Sequence, residues 1–186
     1  MNPVTLMRAT HAPPLHVGDE GDPVRATHAL PVNDTMLRTA TVAEADAIHS
    51  LIVEHLAEGH LLPRELEEIV VHVHRFVAAV HHGQVVGCAE LAPLSRDVAE
   101  VRSAVVDRDW RSAGVGTQIL DELVQRAKAD GFDRLCAFTH APSYFVHRGF
   151  SIVPHVWLPE KISTDCVSCA NFRRCGQYAV VRPLRG

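Results

Sequence analysis

The sequence lacks most of what would take it to a membrane or to nucleic acid. Among its 186 residues no apolar run approaches the length needed to cross a bilayer. The N-terminus has neither the continuous apolar stretch nor the cleavage site of a secretion signal, so a cytoplasmic location is expected. Positive charge is in short supply: 18 Lys and Arg against 22 Asp and Glu leave a net charge of −4, which gives no electrostatic footprint for a nucleic-acid partner. In the cytoplasm the five cysteines, Cys88, Cys136, Cys166, Cys169 and Cys175, read as thiols or metal ligands and not as disulfides. The 13 histidines are scattered, and no pair has the setting of a zinc-protease helix. No internal repeat is visible.

What remains is an ordinary globular composition, 47% hydrophobic and 22% charged, long enough for one domain with a proper core. Its most informative stretch is Arg111-Ser112-Ala113-Gly114-Val115-Gly116-Thr117, between an apolar run at 98–106 and an amphipathic run at 115–129. It is an Arg-x-x-Gly-x-Gly turn entering a helix. The first turn of a helix has N–H groups without partners and a partial positive charge, and glycines let a ligand come close. Those features suit a pyrophosphate, with Arg111 as an added cation. Two familiar phosphate loops are excluded. A Walker A loop would need Lys and Ser/Thr after Gly116, where Thr117 and Gln118 stand; a dinucleotide fingerprint would need a glycine where Ile119 stands. A turn whose glycines merely permit tight packing is the plainer alternative.

The rest of the chain alternates helix and strand patterns. Residues 1–35 carry Pro3, Pro13, Pro14, Pro23 and Pro31 without apolar periodicity, the composition of a disordered extension, and Met36 fits a natural start for a domain over 36–186. A strand is expected at Leu37-Arg38-Thr39-Ala40, then a helix over 43–56 with Ala47, Ile48, Leu51, Ile52 and Leu56 on its packing side. A short helix is expected over 63–71, opened by Pro63. A hairpin follows at 76–91 about His82-Gly83, then a strand at 98–107, the glycine turn and its helix. Strands at 134–138, 151–156 and 178–182 and a short helix at 143–147 complete the pattern. This is an α+β layout with a mostly antiparallel sheet flanked by helices.

Three segments in order carry a resemblance: the strand Glu100-Val101-Arg102-Ser103-Ala104-Val105-Val106, the turn Arg111 to Gly116, and Phe145-Val146-His147-Arg148-Gly149-Phe150. Residues 37 to about 182 resemble the GNAT superfamily of acetyl-CoA-dependent N-acetyltransferases. Leu135-Cys136-Ala137-Phe138-Thr139-His140, Tyr144-Phe145 and Leu158-Pro159-Glu160-Lys161 are similar to the acetyltransferase domain of bacterial N-acetylglutamate synthases, here in a short, stand-alone form. The resemblance implies a GNAT-like mixed sheet and acetyl-CoA as cosubstrate. The acceptor it implies is the α-amine of a small amino acid, L-glutamate first, which is the opening step of arginine biosynthesis. Another amine acceptor, such as a protein N-terminus, a polyamine or a drug, and a non-catalytic acetyl-CoA-binding module are the alternatives.

The site residues carried over are as follows. Val105 and Val106 offer backbone to the acetyl carbonyl and the pantetheine arm, while Arg111, Ser112, Ala113, Gly114, Val115, Gly116 and Thr117 hold the pyrophosphate. Glu100 is the candidate base, directly or through water. Many GNAT enzymes use a tyrosine as acid where this chain has Phe145, and Thr139 is the candidate donor in its place. Arg102 and Lys161 are the cations assigned to substrate carboxylates, although a cysteine-bearing segment replaces the family's arginine-and-serine one near the end. GNAT domains often pair through their C-terminal strands, so the resemblance admits a homodimer. Cys166-x-x-Cys169 with Cys175 has thiol spacing that suits structural zinc, a redox pair or three unrelated thiols; no metal site is assigned.

Overall fold

A computed structural model describes residues 34–169 and 171–185. The extension expected over 1–35 lies outside the described residues apart from Asp34 and Thr35, and Thr35 already belongs to the first strand. Seven strands form one sheet in the order β1-β2-β3-β4-β5-β7-β6: β1 (Thr35–Thr39), β2 (Phe76–His81), β3 (Gln84–Pro93), β4 (Val98–Val106), β5 (Arg134–Thr139), β6 (Ser151–Val153) and β7 (Tyr178–Pro183). Every pairing is antiparallel except that of β4 with β5. Among the described residues no helix is long and apolar enough to cross a membrane.

Helix α3 (Val115–Ala129) covers one face. Its apolar residues recur every three or four positions, so Val115, Ile119, Leu120, Leu123, Val124 and Ala127 share a buried stripe. They meet the inward residues of alternate strand positions, Val77 and Ala79 of β2 and Ala99 and Val101 of β4. The other face takes α1 (Ala45–His55) and α2 (Leu66–His72), whose Ile48, Ile52 and Ile69 pack on Phe76, Ala78, Val80 and Val105. Strand β2 is covered on both sides, which is why Phe-Val-Ala-Ala-Val reads as a continuous apolar run. A smaller patch, Val98, Cys136, Leu158 and Ala179, closes the far end of that second face.

The first helices differ from expectation. Residues 42–44 form a tighter 3-10 turn before α1, with Glu44 accepting hydrogen bonds from the Thr41 N–H (2.8 Å) and hydroxyl (3.0 Å). That turn changes the phase, so Ala45 and His55 are buried and Ala47 faces solvent. Helix α2 begins at Leu66 and not at Pro63. The guanidinium of Arg64, in the loop before it, is drawn inward to Glu90 (2.9 Å) and the Ser103 hydroxyl (2.9 Å). Strand β6 stops at Val153 because Pro154, which has no N–H, opens a turn at His155–Trp157.

Candidate active site

Strands β4 and β5 run parallel only from Val98↔Arg134 to Val101↔Ala137. Beyond that point β4 continues along β3 as far as Val106, and β5 continues along β7 as far as Thr139. The two strands therefore separate, and the sheet has an opening at its centre. Strand β4 is also bulged there: its register against β3 shifts between Cys88 and Glu90, and Ser103 has φ of +50°. A non-glycine residue in that region is held only by its surroundings, here the Arg64 bond to its hydroxyl. The bulge puts Val105 against Cys88 on the α1–α2 side and Val106 on the α3 side. Of the two side chains, that of Val106 lies beside the glycine turn.

That turn is built step by step from β4. The Asp107 carboxylate accepts the Asp109 N–H (2.9 Å), and Trp110 anchors the following turn in the core. Ser112 and Gly114 then take left-handed φ values of +65° and +88°. Gly114 is the N-cap of α3, no side chain caps the helix, and no acidic residue lies in its first turn. The first helical bond runs from Gln118 N–H to the Gly114 carbonyl (3.1 Å), which leaves the N–H groups of Val115, Gly116 and Thr117 without intrahelical partners. At Gly116 an added Cβ would come within 3.3 Å of the Tyr144 hydroxyl and 3.5 Å of Val106. The donors, the dipole and the close approach fit a pyrophosphate.

Arg111 does not stand free at the entrance. Its Nε donates to the Val106 carbonyl (3.1 Å) and its Nη2 to both oxygens of Glu58 (3.0 and 2.9 Å), so it braces the turn between β4 and the 3-10 turn Leu56–Glu58 that follows α1. Arg108 and Arg111 together hold the Glu58 carboxyl below the usual carboxylate range. A second arginine, with no role assigned from the sequence, is closer to the helix start. Arg148 donates to the Thr117 hydroxyl, and its guanidinium lies 4.0 Å from the Tyr144 ring centre. With Thr117, Asp121, His147, Gly149 and Arg182 it lines an open cleft of about 610 Å³. The Tyr144 hydroxyl overlies the glycine turn, and burial raises its pKa above the usual phenol value. Phe145 packs in the core against Phe150, ring centres 5.2 Å apart. The signal for Tyr144 and Arg148 was their spacing of four residues across the end of the short helix Pro142–Val146, beside the glycine-closed segment.

The other face of the opening is ionic. Glu100 is not a solvated strand end: its side chain is 4% exposed, and its carboxylate accepts from Arg102 Nε (2.5 Å) and Lys161 Nζ (2.8 Å). Arg102 and Lys161, read as free cations for a substrate, are both paired with Glu100 and again with Asp165. Next to them Glu90, fully buried on β3, is held by Arg64. Thr139, at the end of β5, accepts the Ala141 N–H (3.0 Å) at its hydroxyl oxygen and keeps its own proton for another acceptor. All five cysteines are free, and among the described residues no group of three or more His, Cys, Asp or Glu is placed to hold a metal.

The geometry agrees with the comparisons. The sequence profile of the acetyltransferase (GNAT) family matches residues 43–150. The uncharacterized N-acetyltransferase CT2212 of Chlorobaculum tepidum is 30% identical over 155 residues, 83% of this chain and 100% of that protein. The amino-acid acetyltransferase of Shewanella oneidensis is 32% identical over 127 residues, 67% of this chain but only 28% of the longer protein. Among solved structures, N-acetylglutamate synthase from Neisseria gonorrhoeae, complexed with coenzyme A and N-acetyl-glutamate, is similar with a TM-score of 0.74 at 27% identity. That similarity covers 82% of this chain and 35% of that one. The parted β4 and β5 strands, the uncapped glycine turn and the family match lead to one conclusion: this chain belongs to the GNAT acetyltransferase family.

Proposed function

We propose that this acetyltransferase is a cytoplasmic enzyme that moves the acetyl group of acetyl-CoA to the α-amine of a small amino acid, with L-glutamate the first acceptor. That reaction would open arginine biosynthesis. The observation that carries the reading is the position of the opening between β4 and β5. It joins an anion cradle on the α3 face to a buried set of carboxylates and cations on the other face. Acetyl-CoA supplies the activated thioester. The N–H groups from Ser112 to Thr117 hold its pyrophosphate, and Arg111 keeps the turn in shape. The backbone of β4 at Val105 and Val106 lines the acyl arm and offers one N–H, from Val106, to the acyl carbonyl. The next N–H, of Asp107, is spent on the Val86 carbonyl of β3 (2.9 Å), and successive N–H groups point to opposite edges. One such donor is worth roughly 2.7–4 kcal/mol in the best-measured case.

Glu100 takes a proton from the acceptor's ammonium, directly or through water, so that the neutral amine attacks the acetyl carbonyl and the C–S bond of the thioester breaks. Lys161 and Arg102 hold the Glu100 carboxylate in place. Thr139 gives a proton to the leaving thiolate. The pairing of Arg102 and Lys161 with protein carboxylates favours a second reading, an acceptor with an uncharged side chain such as glutamine.

Thiol release from acetyl-CoA against a panel of amino acids, polyamines and peptide N-termini tests the reading. Turnover greatest on glutamate or a close neutral relative supports it. Turnover only on polyamines or peptides overturns the acceptor class, and tight acetyl-CoA binding without any turnover overturns catalysis.

A further inference from the structure

Four charged side chains meet on the acceptor face. Glu100 and Arg102 project from β4, Lys161 from the short helix α5 (Pro159–Lys161), and Asp165 from the π-helical turn Ile162–Cys166 that follows it. Lys161 Nζ lies 2.8 Å from Glu100 and 2.8 Å from Asp165, and Arg102 uses Nε for Glu100 and Nη2 for Asp165. Two positive and two negative charges make the set neutral. Each cation fitted to bind an acceptor's carboxylate already holds one of the protein's own.

The two carboxylates are not equivalent. Glu100 is 4% exposed and fixed by strand pairing to Ala92 and Cys136, whereas Asp165 is 34% exposed and sits on a single wide turn closed by Val167 N–H to the Ile162 carbonyl (3.2 Å). A carboxylate arriving from solvent competes with Asp165 and leaves Glu100 in place. Without Asp165 the remaining three groups sum to +1, the charge that a carboxylate ligand complements.

We infer that Asp165 is an internal occupant of the acceptor's carboxylate subsite and sets the discrimination between acidic and neutral acceptors. The inference rests on the amino-acid acceptor proposed above. With Asp165 in place the subsite is satisfied, and a neutral side chain enters without breaking a charge-assisted bond. A second carboxylate on the acceptor must displace Asp165 from both cations, so specificity here depends on a repulsive element as much as on an attractive one.

The test compares kcat and KM for glutamate and for glutamine in the wild type, Asp165→Asn and Asp165→Glu, with KM for acetyl-CoA and Tm measured alongside. For Asp165→Asn the glutamate-to-glutamine ratio of kcat/KM should rise about tenfold or more, through a lower KM for glutamate, with KM for acetyl-CoA unchanged. Asp165→Glu, which keeps the charge, should restore the wild-type ratio. A ratio unchanged in Asp165→Asn overturns the inference, as does an equal change for both acceptors, which marks a merely structural role. Wild-type protein that acetylates no amino acid refutes the proposed acceptor and the inference with it, whereas wild-type turnover with an unmoved ratio refutes the inference alone.

Discussion

Alanine at Gly114 and alanine at Gly116 should have opposite consequences, although the residues are two apart in one turn. Gly114 has φ of +88°, and nothing lies within 4 Å of where its Cβ would be. The cost there is conformational, about 1–2 kcal/mol for an L-residue in the left-handed region. In a domain of this size each kcal/mol moves Tm by roughly 2–4 °C, so Gly114→Ala should melt about 2–8 °C lower. If the chain escapes the strain by turning the N-cap back, the N–H groups of Val115 to Thr117 lose their common direction. The same 1–2 kcal/mol, transferred to binding, weakens acetyl-CoA affinity roughly 5- to 30-fold.

Gly116 is not left-handed, and its obstacle is the Tyr144 hydroxyl at 3.3 Å, the far end of a side chain that can move by a few tenths of an ångström. Alanine there also gains up to about 1 kcal/mol of helix propensity. Gly116→Ala should therefore keep or raise Tm. Scanning calorimetry with acetyl-CoA titration separates the two. Equal losses in both variants, or a Gly114→Ala protein with wild-type Tm and affinity, would refute the reasoning.

Two further outcomes follow from burial and charge. An alkylating reagent near neutral pH should label Cys166, Cys169 and Cys175 in the native protein but neither Cys88, whose buried thiol is pushed up to about 12, nor Cys136, raised by burial and by Glu100; mass spectrometry finding Cys88 labelled as fast as Cys175 would contradict the packing. Burial pushes the Glu44 carboxyl up, but Arg38 and Thr41 more than offset it and hold it below the usual range, so its stabilisation is present above about pH 4.3 and lost as pH falls through the folded value. Arg38→Ala should thus cost about 0.2–1 kcal/mol near neutral pH, by thermal melts, and the gap to wild type should close in acid; a gap that widens there would refute the pairing.

Local signals were legible where a short stretch settles its own conformation. The spacing of Val115, Ile119, Leu123 and Ala127 between flanking glycines marked out α3 over 115–129, and the structure has the same ends. His82 and Gly83 both take positive φ, as a tight hairpin turn requires, and the strands on either side lie where the pattern put them. The phase of α1 was missed because Glu44, by bonding Thr41, makes a 3-10 turn that apolar spacing does not reveal. The start of α2 was missed because Arg64 answers to Glu90, 26 residues away.

The candidate site divides in the same way. The sequence by itself determined the glycine turn, its helix and the strand that feeds them, because left-handed glycines, an uncapped helix start and a period of 3.6 are properties of adjacent residues. Charge partners were a matter for the tertiary structure alone. Arg111 finds Glu58 across 53 residues, and Arg102 finds Asp165 across 63. Ion pairs depend on distance in space, which no spacing along the chain encodes, and so the opposite face became legible only once the sheet had brought β4 and the Cys-bearing turn together.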